Sequence, residues 1–239
     1  MVQRNATRLL NLVNQLLDFR KSDVSGHHLS MSDGDIISYI NNLCTSFTSL
    51  SEKKDVHLTF YSAIPSLNMS FDEDKIGKVM MNLLSNAFKF TPDGGRVDVA
   101  VDLIKDLEHQ EILEIKVADT GIGIKEEDKE RIFERFYQVD NPGIDISGSG
   151  VGLNIVRDFV TLHGGTVKVM DNAPTGCVFV VHIPVRRSGN KAVEMEQVHT
   201  AEELTAEIPV TAAPKFPAKS EFPAASKSPA EREPEPEAG

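Results

Sequence analysis

The chain has 239 residues, 40% of them hydrophobic, enough for one well-buried core with residues left over for a second element. Its formal net charge of −11 is spread along the sequence and favours solubility; such a surface repels nucleic-acid backbones and anionic membranes. Tryptophan is absent and aromatics are few, so nothing suggests a stacking surface for bases. Cys44 and Cys177 both fall inside apolar-patterned segments and read as small buried hydrophobes in a reducing compartment rather than a disulfide. No apolar run is long enough to span a bilayer, and no signal peptide is evident.

From residue 3 to about 21 the pattern is helical and unusually apolar. Leu9, Leu12, Leu16 and Phe19 follow a coiled-coil seam, with Leu10, Val13 and Leu17 as a second stripe beside it. Two adjacent stripes suit a helix packed on two neighbours in a four-helix bundle, with a partner helix from another chain; the alternative is a helix lying on its own domain. The chain starts in mid-pattern, as an excised fragment with an added Met would. This gives an N-terminal unit at residues 1–25.

Residues 28–187 alternate strands and helices. Asp33 or Asp35 can cap a helix running through Ile36, Ile37, Ile40, Leu43, Phe47 and Leu50. Residues 56–62 alternate as a strand, and residues 72–89 form a strong helix. Residues 96–107 and 111–118 read as a hairpin around a charged turn. A short helix is expected at 125–133 and another at 150–163, the latter closed by Gly164 and Gly165. Residues 166–170 and 176–185 supply two final strands. The fold class is an α/β (α+β) two-layer sandwich, a mixed sheet covered on one face by helices. From 188 to 239 the sequence is rich in Pro, Ala and Glu and too poor in large apolar residues to offset chain entropy, so it reads as a disordered tail or linker.

Three elements carry chemistry. On the helix over 72–89, Ile76, Val79, Met80, Leu83, Leu84 and Ala87 line one face. Asn82, Asn86 and Lys89 fall together on a neighbouring stripe, because offsets of four and seven nearly superpose on a helix. Two amides and an ammonium there suit a metal and phosphates; taken alone, the stripe is also an ordinary polar edge. Second, Asp119-Thr120-Gly121-Ile122-Gly123 follows an apolar strand. A carboxylate at that strand end can accept from an exocyclic amine, and the glycines let the backbone approach a flat ring; alone, Asp-x-Gly is equally a turn. Third, Gly148-Ser149-Gly150-Val151-Gly152-Leu153 enters a helix and exposes backbone N–H groups suited to phosphates. It is neither a dinucleotide fingerprint, since no strand precedes it, nor a Walker loop, since no Gly-Lys-Ser/Thr follows.

In this order and at these separations, the elements resemble the gyrase-, Hsp90- and MutL-type ATPases and histidine kinases, and within that family most closely the sensor histidine kinases. Residues 81–92 (MNLLSNAFKFTP) look like their N box, 119–124 (DTGIGI) their first glycine box, 132–137 (IFERFY) their F box and 148–153 (GSGVGL) their second glycine box. His163-Gly164-Gly165-Thr166 and Thr175-Gly176-Cys177-Val178-Phe179 match the closing segment. Residues 8–19 look like the second helix of the dimerisation hairpin that carries the phosphoacceptor.

The resemblance implies a Bergerat-type ATP-binding fold with ATP and Mg²⁺ as cofactors. It implies that Asn86 coordinates Mg²⁺, that Asn82 and Lys89 lie near the phosphates in a catalytic role, and that Phe90 packs on the adenine. Asp119 takes the adenine amine; Gly121, Gly123 and Ile124 shape the base site, and Ile132 and Tyr137 line the pocket beside it. Gly148, Ser149, Gly150, Val151, Gly152 and Leu153 cradle phosphates, residues 139–147 form the lid, and Thr175 and Phe179 complete the site. In the gyrase-like ATPases a Glu stands four residues before the metal-binding Asn; here that position is Asn82, which cannot serve as a base, so slow hydrolysis is expected. None of the seven histidines has the context of a phosphoacceptor.

The resemblance further implies a response-regulator receiver domain as partner, a homodimer through the N-terminal helix in the parent protein, and a cytoplasmic location beneath an inner-membrane anchor. No nucleic acid and no membrane contact by this segment are expected. The alternative is a degenerate, non-catalytic dimerisation and docking module, which the intact Asn86, Asp119 and glycine boxes disfavour.

Overall fold

The computed structural model describes residues 28–139 and 150–187. The expected first helix, the lid from residue 140 onward, Gly148, Ser149 and the tail from 188 lie outside the described residues. Seven strands and four α-helices are described: β1 (Ser32–Asp35), α1 (Ile36–Thr45), α2 (Thr48–Lys54), β2 (His57–Ser62), β3 (Asn68–Phe71), α3 (Glu73–Phe90), β4 (Arg96–Lys105), β5 (Glu111–Asp119), α4 (Gly152–Leu162), β6 (Thr166–Asp171) and β7 (Cys177–Pro184). The main sheet has the order β2-β4-β5-β7-β6, with β2 parallel to β4 and every other pairing antiparallel. It is the mixed sheet the sequence predicts. No helix among the described residues is long and apolar enough to cross a membrane.

Period-two alternation decides which sheet face is covered. Val97, Val99, Val101, Leu113, Ile115, Val117, Phe179, Val181 and Ile183 share one buried cluster with α1, α3 and α4. On the opposite face Glu114 receives His182 Nε2 at 2.9 Å and Lys116 Nζ at 2.5 Å. Burial raises the Glu114 carboxyl, but these two partners outweigh it and hold the pKa below the ordinary value.

Helix α3 positions four of the candidate site residues, Asn82, Asn86, Lys89 and Phe90. Asp72 caps it, accepting from Lys75 N at 3.0 Å, and Glu73 and Asp74 complement the dipole in the first turn. Ile76, Val79, Met80, Leu83, Leu84, Ala87 and Phe88 are buried on the sheet. At the other end Lys54 Nζ donates to Phe88 O and Thr91 O, occupying carbonyls that the helix leaves unpaired.

Two expectations differ from the structure. The predicted single helix through Leu50 is two, α1 and α2, broken at Ser46 and Phe47. Around that break Thr45, Ser46 and Thr48 hydroxyls donate to the carbonyls of Asn41, Leu43 and Thr45 and compete with helix propagation. The turn sends Phe47 into the core to stack on Phe88 at 5.5 Å, and leaves Leu50 exposed. Of the two candidate caps, Asp35 caps α1, while Asp33 lies in β1, which pairs antiparallel with β3. The short helix predicted at 125–133 is two 3-10 turns, Glu126–Asp128 and Arg131–Phe133. Its side chains are drawn to different elements: Lys129 to Asp171, Asp128 to Tyr137 and Phe133 to Phe179.

His163 joins the two site-bearing helices. Its Nδ1 donates to Phe159 O at 2.7 Å, and its Nε2 accepts the Asp72 N–H at 3.2 Å, so the buried ring is neutral. Burial pushes its pKa below the ordinary histidine value. The unfolded chain takes up this proton near pH 6.5 and the folded chain only lower, so this contribution is complete above about pH 6.5 and is lost on acidification below it. The urea midpoint is expected to fall between pH 7.5 and 5.5. His163→Gln should be less stable at neutral pH, by about 1–2 kcal/mol, and show a flatter pH dependence.

Candidate functional site

The stripe on α3 is present as the helical spacing requires, with Asn82, Asn86, Lys89 and Phe90 all half-buried. Asn82 Nδ2 donates to Lys78 O at 2.7 Å, one turn back on its own helix. Its Oδ1 faces the start of α4: a Cβ on Gly152 would come within 2.6 Å of it. The glycine therefore lets the second glycine box close directly onto α3. The Asn86 amide is engaged by no side-chain hydrogen bond among the described residues, so its oxygen is available to a ligand. The Lys89 ammonium sits 4.7 Å from the centroid of the Phe90 ring.

At the end of β5 Asp119 is buried, at 4% exposure. Its Oδ1 accepts the N–H of Gly121 at 2.8 Å and of Cys177 at 3.4 Å, and its Oδ2 takes the Cys177 thiol at 2.9 Å. Burial pushes this carboxyl above the usual carboxylate value, against the thiol and the two amides that stabilise its charge. A Cβ on Gly121 would lie 2.6 Å from Phe90 O, so this turn abuts the end of α3 and brings Asp119 beside Phe90. Gly123 has φ +73°, a left-handed conformation that favours glycine, and Ile124 packs against the core.

The F-box segment lies over the same end. Ile132 is buried, and Phe133 meets Phe179 edge-on at 6.3 Å. Tyr137 donates to Asp128 and carries the Arg131 guanidinium 4.3 Å from its ring centroid. Phe136 N donates to Gly150 O at 2.8 Å, which ties together the two ends of the chain on either side of residues 140–149. Val151, Gly152 and Leu153 open α4 against this contact. Thr175 lies exposed in the β6–β7 turn, ahead of β7, whose Cys177 and Phe179 are buried in the core.

Two residues with evident work here were not among the site residues expected from sequence. Cys177 reaches Asp119, and its parity with Phe179 on β7 was the available signal. Asn154, also buried, accepts from Arg135 Nε at 3.2 Å and donates to Phe133 O at 3.3 Å, fastening the F box to α4. It stands one residue beyond the glycine box, where nothing in the pattern distinguishes it from a surface amide.

Among the described residues no group of three or more His, Cys, Asp or Glu side chains could cage a metal ion. A single amide oxygen at Asn86 fits Mg²⁺, which takes most of its ligands from phosphates and water. The arrangement pairs a buried acceptor suited to an amine with a helix start and a cationic stripe suited to anions.

Fold and site chemistry together define a nucleotide-binding α/β sandwich. The chain belongs to the histidine kinase-, DNA gyrase B- and HSP90-like ATPases, whose family profile matches residues 71–187, and its homologues are histidine kinases. Histidine kinase P4 of Formosa agariphila is 32% identical over 191 residues, covering 78% of this chain and 14% of that protein. The structure of ShkA in complex with AMPPNP is 27% identical with a TM-score of 0.65, over 75% of this chain and 36% of that one. The complex of histidine kinase ThkA with the response regulator TrrA shares the fold, at 24% identity and TM-score 0.62, over 77% of this chain and 49% of that one. The chain spans 14%, 12% and 19% of the length of three curated relatives. It is thus the ATPase-type catalytic module of a two-component histidine kinase.

Proposed function

We propose that residues 28–187 bind ATP with Mg²⁺ and pass its γ-phosphoryl group to a histidine on a dimerisation helix, upstream of a receiver-domain aspartate. The observation that carries this reading is the buried Asp119 carboxylate beside the Phe90 end of α3, on which Asn86 and Lys89 stand. Asp119 would accept the base amine, with Phe90, Ile124, Ile132, Tyr137 and Phe179 forming the apolar surround. Gly148 to Leu153 would present N–H groups to the phosphates, and Lys89 would neutralise their charge. Asn86 would hold Mg²⁺, which when bound supplies charge neutralisation across the phosphates. Binding of AMPPNP by ShkA supports the nucleotide, and the ThkA–TrrA complex supports a receiver domain as partner.

Asn82 carries the distinction between transfer and hydrolysis. A neutral amide already bonded to Lys78 O cannot take a proton from water, so bound ATP is kept for a histidine acceptor. In the parent, residues 1–25 would pair with a second copy as a dimer, residues 188–239 would act as a linker or tail, and the module would work in the cytoplasm beneath a membrane anchor. Calorimetric titration with ATP, with and without Mg²⁺, tests the reading. Expected are Mg²⁺-dependent binding, slow phosphate release, and transfer to a supplied acceptor hairpin. Absence of binding at high protein concentration would leave a docking module in its place.

A further inference from the structure

We propose that Cys177 is a positioning residue for base selection: its thiol donates to Oδ2 of Asp119 and fixes the direction in which that oxygen accepts from the nucleotide base. The proposal rests on the reading that Asp119 receives the base. Its ground is the unequal sharing of the carboxylate. Oδ1 takes two backbone N–H groups, those of Gly121 and Cys177, whereas among the described residues Oδ2 takes only the thiol, at 2.9 Å. An ionised carboxylate oxygen has two lone-pair directions, so one direction on Oδ2 stays open and the thiol determines which.

The surroundings keep the thiol in that role. Cys177 is buried, on the inward parity of β7, and follows Gly176, whose backbone packs against Asp119 O. Burial and the neighbouring Asp119 charge raise the thiol pKa well above its ordinary value, so it stays protonated and acts as a donor rather than a nucleophile. Asn172 Nδ2 holds Asp119 O at 2.8 Å, so the main chain is anchored independently of the side chain. What the thiol adds is control of the carboxylate's rotation. An Oδ2 held in this way favours a base edge that presents an amine and disfavours one that presents a carbonyl.

The test compares Cys177→Ser with Cys177→Ala, which differ by one hydroxyl donor. Affinities for ATP, inosine triphosphate and inorganic tripolyphosphate are measured with Mg²⁺, and thermal midpoints are recorded alongside. Cys177→Ala should weaken ATP roughly tenfold and narrow the ATP-to-inosine preference by a similar factor, leaving tripolyphosphate unchanged. Cys177→Ser should restore both ATP affinity and preference. An unchanged preference in Cys177→Ala overturns the proposal. So does an equal loss for all three ligands that follows the thermal midpoint, which is the mark of a merely structural cysteine. Asp119→Ala separates the two levels: if it spares ATP affinity, the base-binding reading falls and takes this proposal with it. If it weakens ATP while Cys177→Ala does not, only the role of Cys177 falls.

Discussion

Gly176→Ala should lower the thermal midpoint by roughly 10 °C and abolish nucleotide binding at ordinary ligand concentrations. Gly176 has φ +106°, which L side chains rarely adopt, and a Cβ there would sit 2.0 Å from Asp119 O and 2.9 Å from Thr120 Cα. The atoms in the way are backbone, at the end of the central strand β5, and cannot rotate aside. Left-handed strain and overpacking each cost about 1–3 kcal/mol. Together they rival a sizeable part of the 5–15 kcal/mol, roughly, that holds a domain folded. Gly94→Ala is the control: its φ is +77°, but nothing lies within 4 Å of the added Cβ. It should lose about 1 kcal/mol from conformation alone and keep full ligand affinity. Equal losses in the two variants would mean that the Gly176–Asp119 contact is not tight in solution.

Legibility in the sequence followed the strength of local signals. Helix α3 was readable because a capping Asp, an acidic first turn and seven buried positions at helical spacing all agree. The β4–β5 hairpin and the last two strands were readable from alternation. Pairing of β1 with β3 was not: Ser32–Asp35 is four small or acidic residues with no alternation, and its partner lies across α1, α2 and β2. The break after Thr45 was hidden because Phe47 and Leu50 continue the apolar period. Only tertiary stacking on Phe88 separates a buried Phe47 from an exposed Leu50. For the candidate site, motif order marked the elements but not the contacts between them. Closure of Gly152 onto Asn82 and of Gly121 onto Phe90 is a property of packing, and a glycine in a motif does not name what approaches it. Thr175 and Cys177 share strand parity, and what separates them is the start of β7 at Cys177, which leaves Thr175 in the exposed turn.

Asn86→Ala should remove the Mg²⁺-dependent part of ATP binding, at least a tenfold loss of affinity or about 1.4 kcal/mol, and leave the fold intact. The two halves of this expectation come from different features. Asn86 is half-buried and makes no side-chain hydrogen bond among the described residues, so truncation strands no buried partner. Alanine is also the better helix former, by a few tenths of a kcal/mol, so the thermal midpoint should hold or rise slightly. Affinity depends instead on the lost oxygen, because the site offers so few other protein ligands for a cation. Without Mg²⁺, wild type and variant should bind ATP equally. That equality is the decisive comparison, since a distorted α3 would weaken binding under both conditions. Should the variant retain its full Mg²⁺ response, Asn86 is not the metal ligand, and the stripe on α3 acts through Lys89 and the charge it brings to the phosphates.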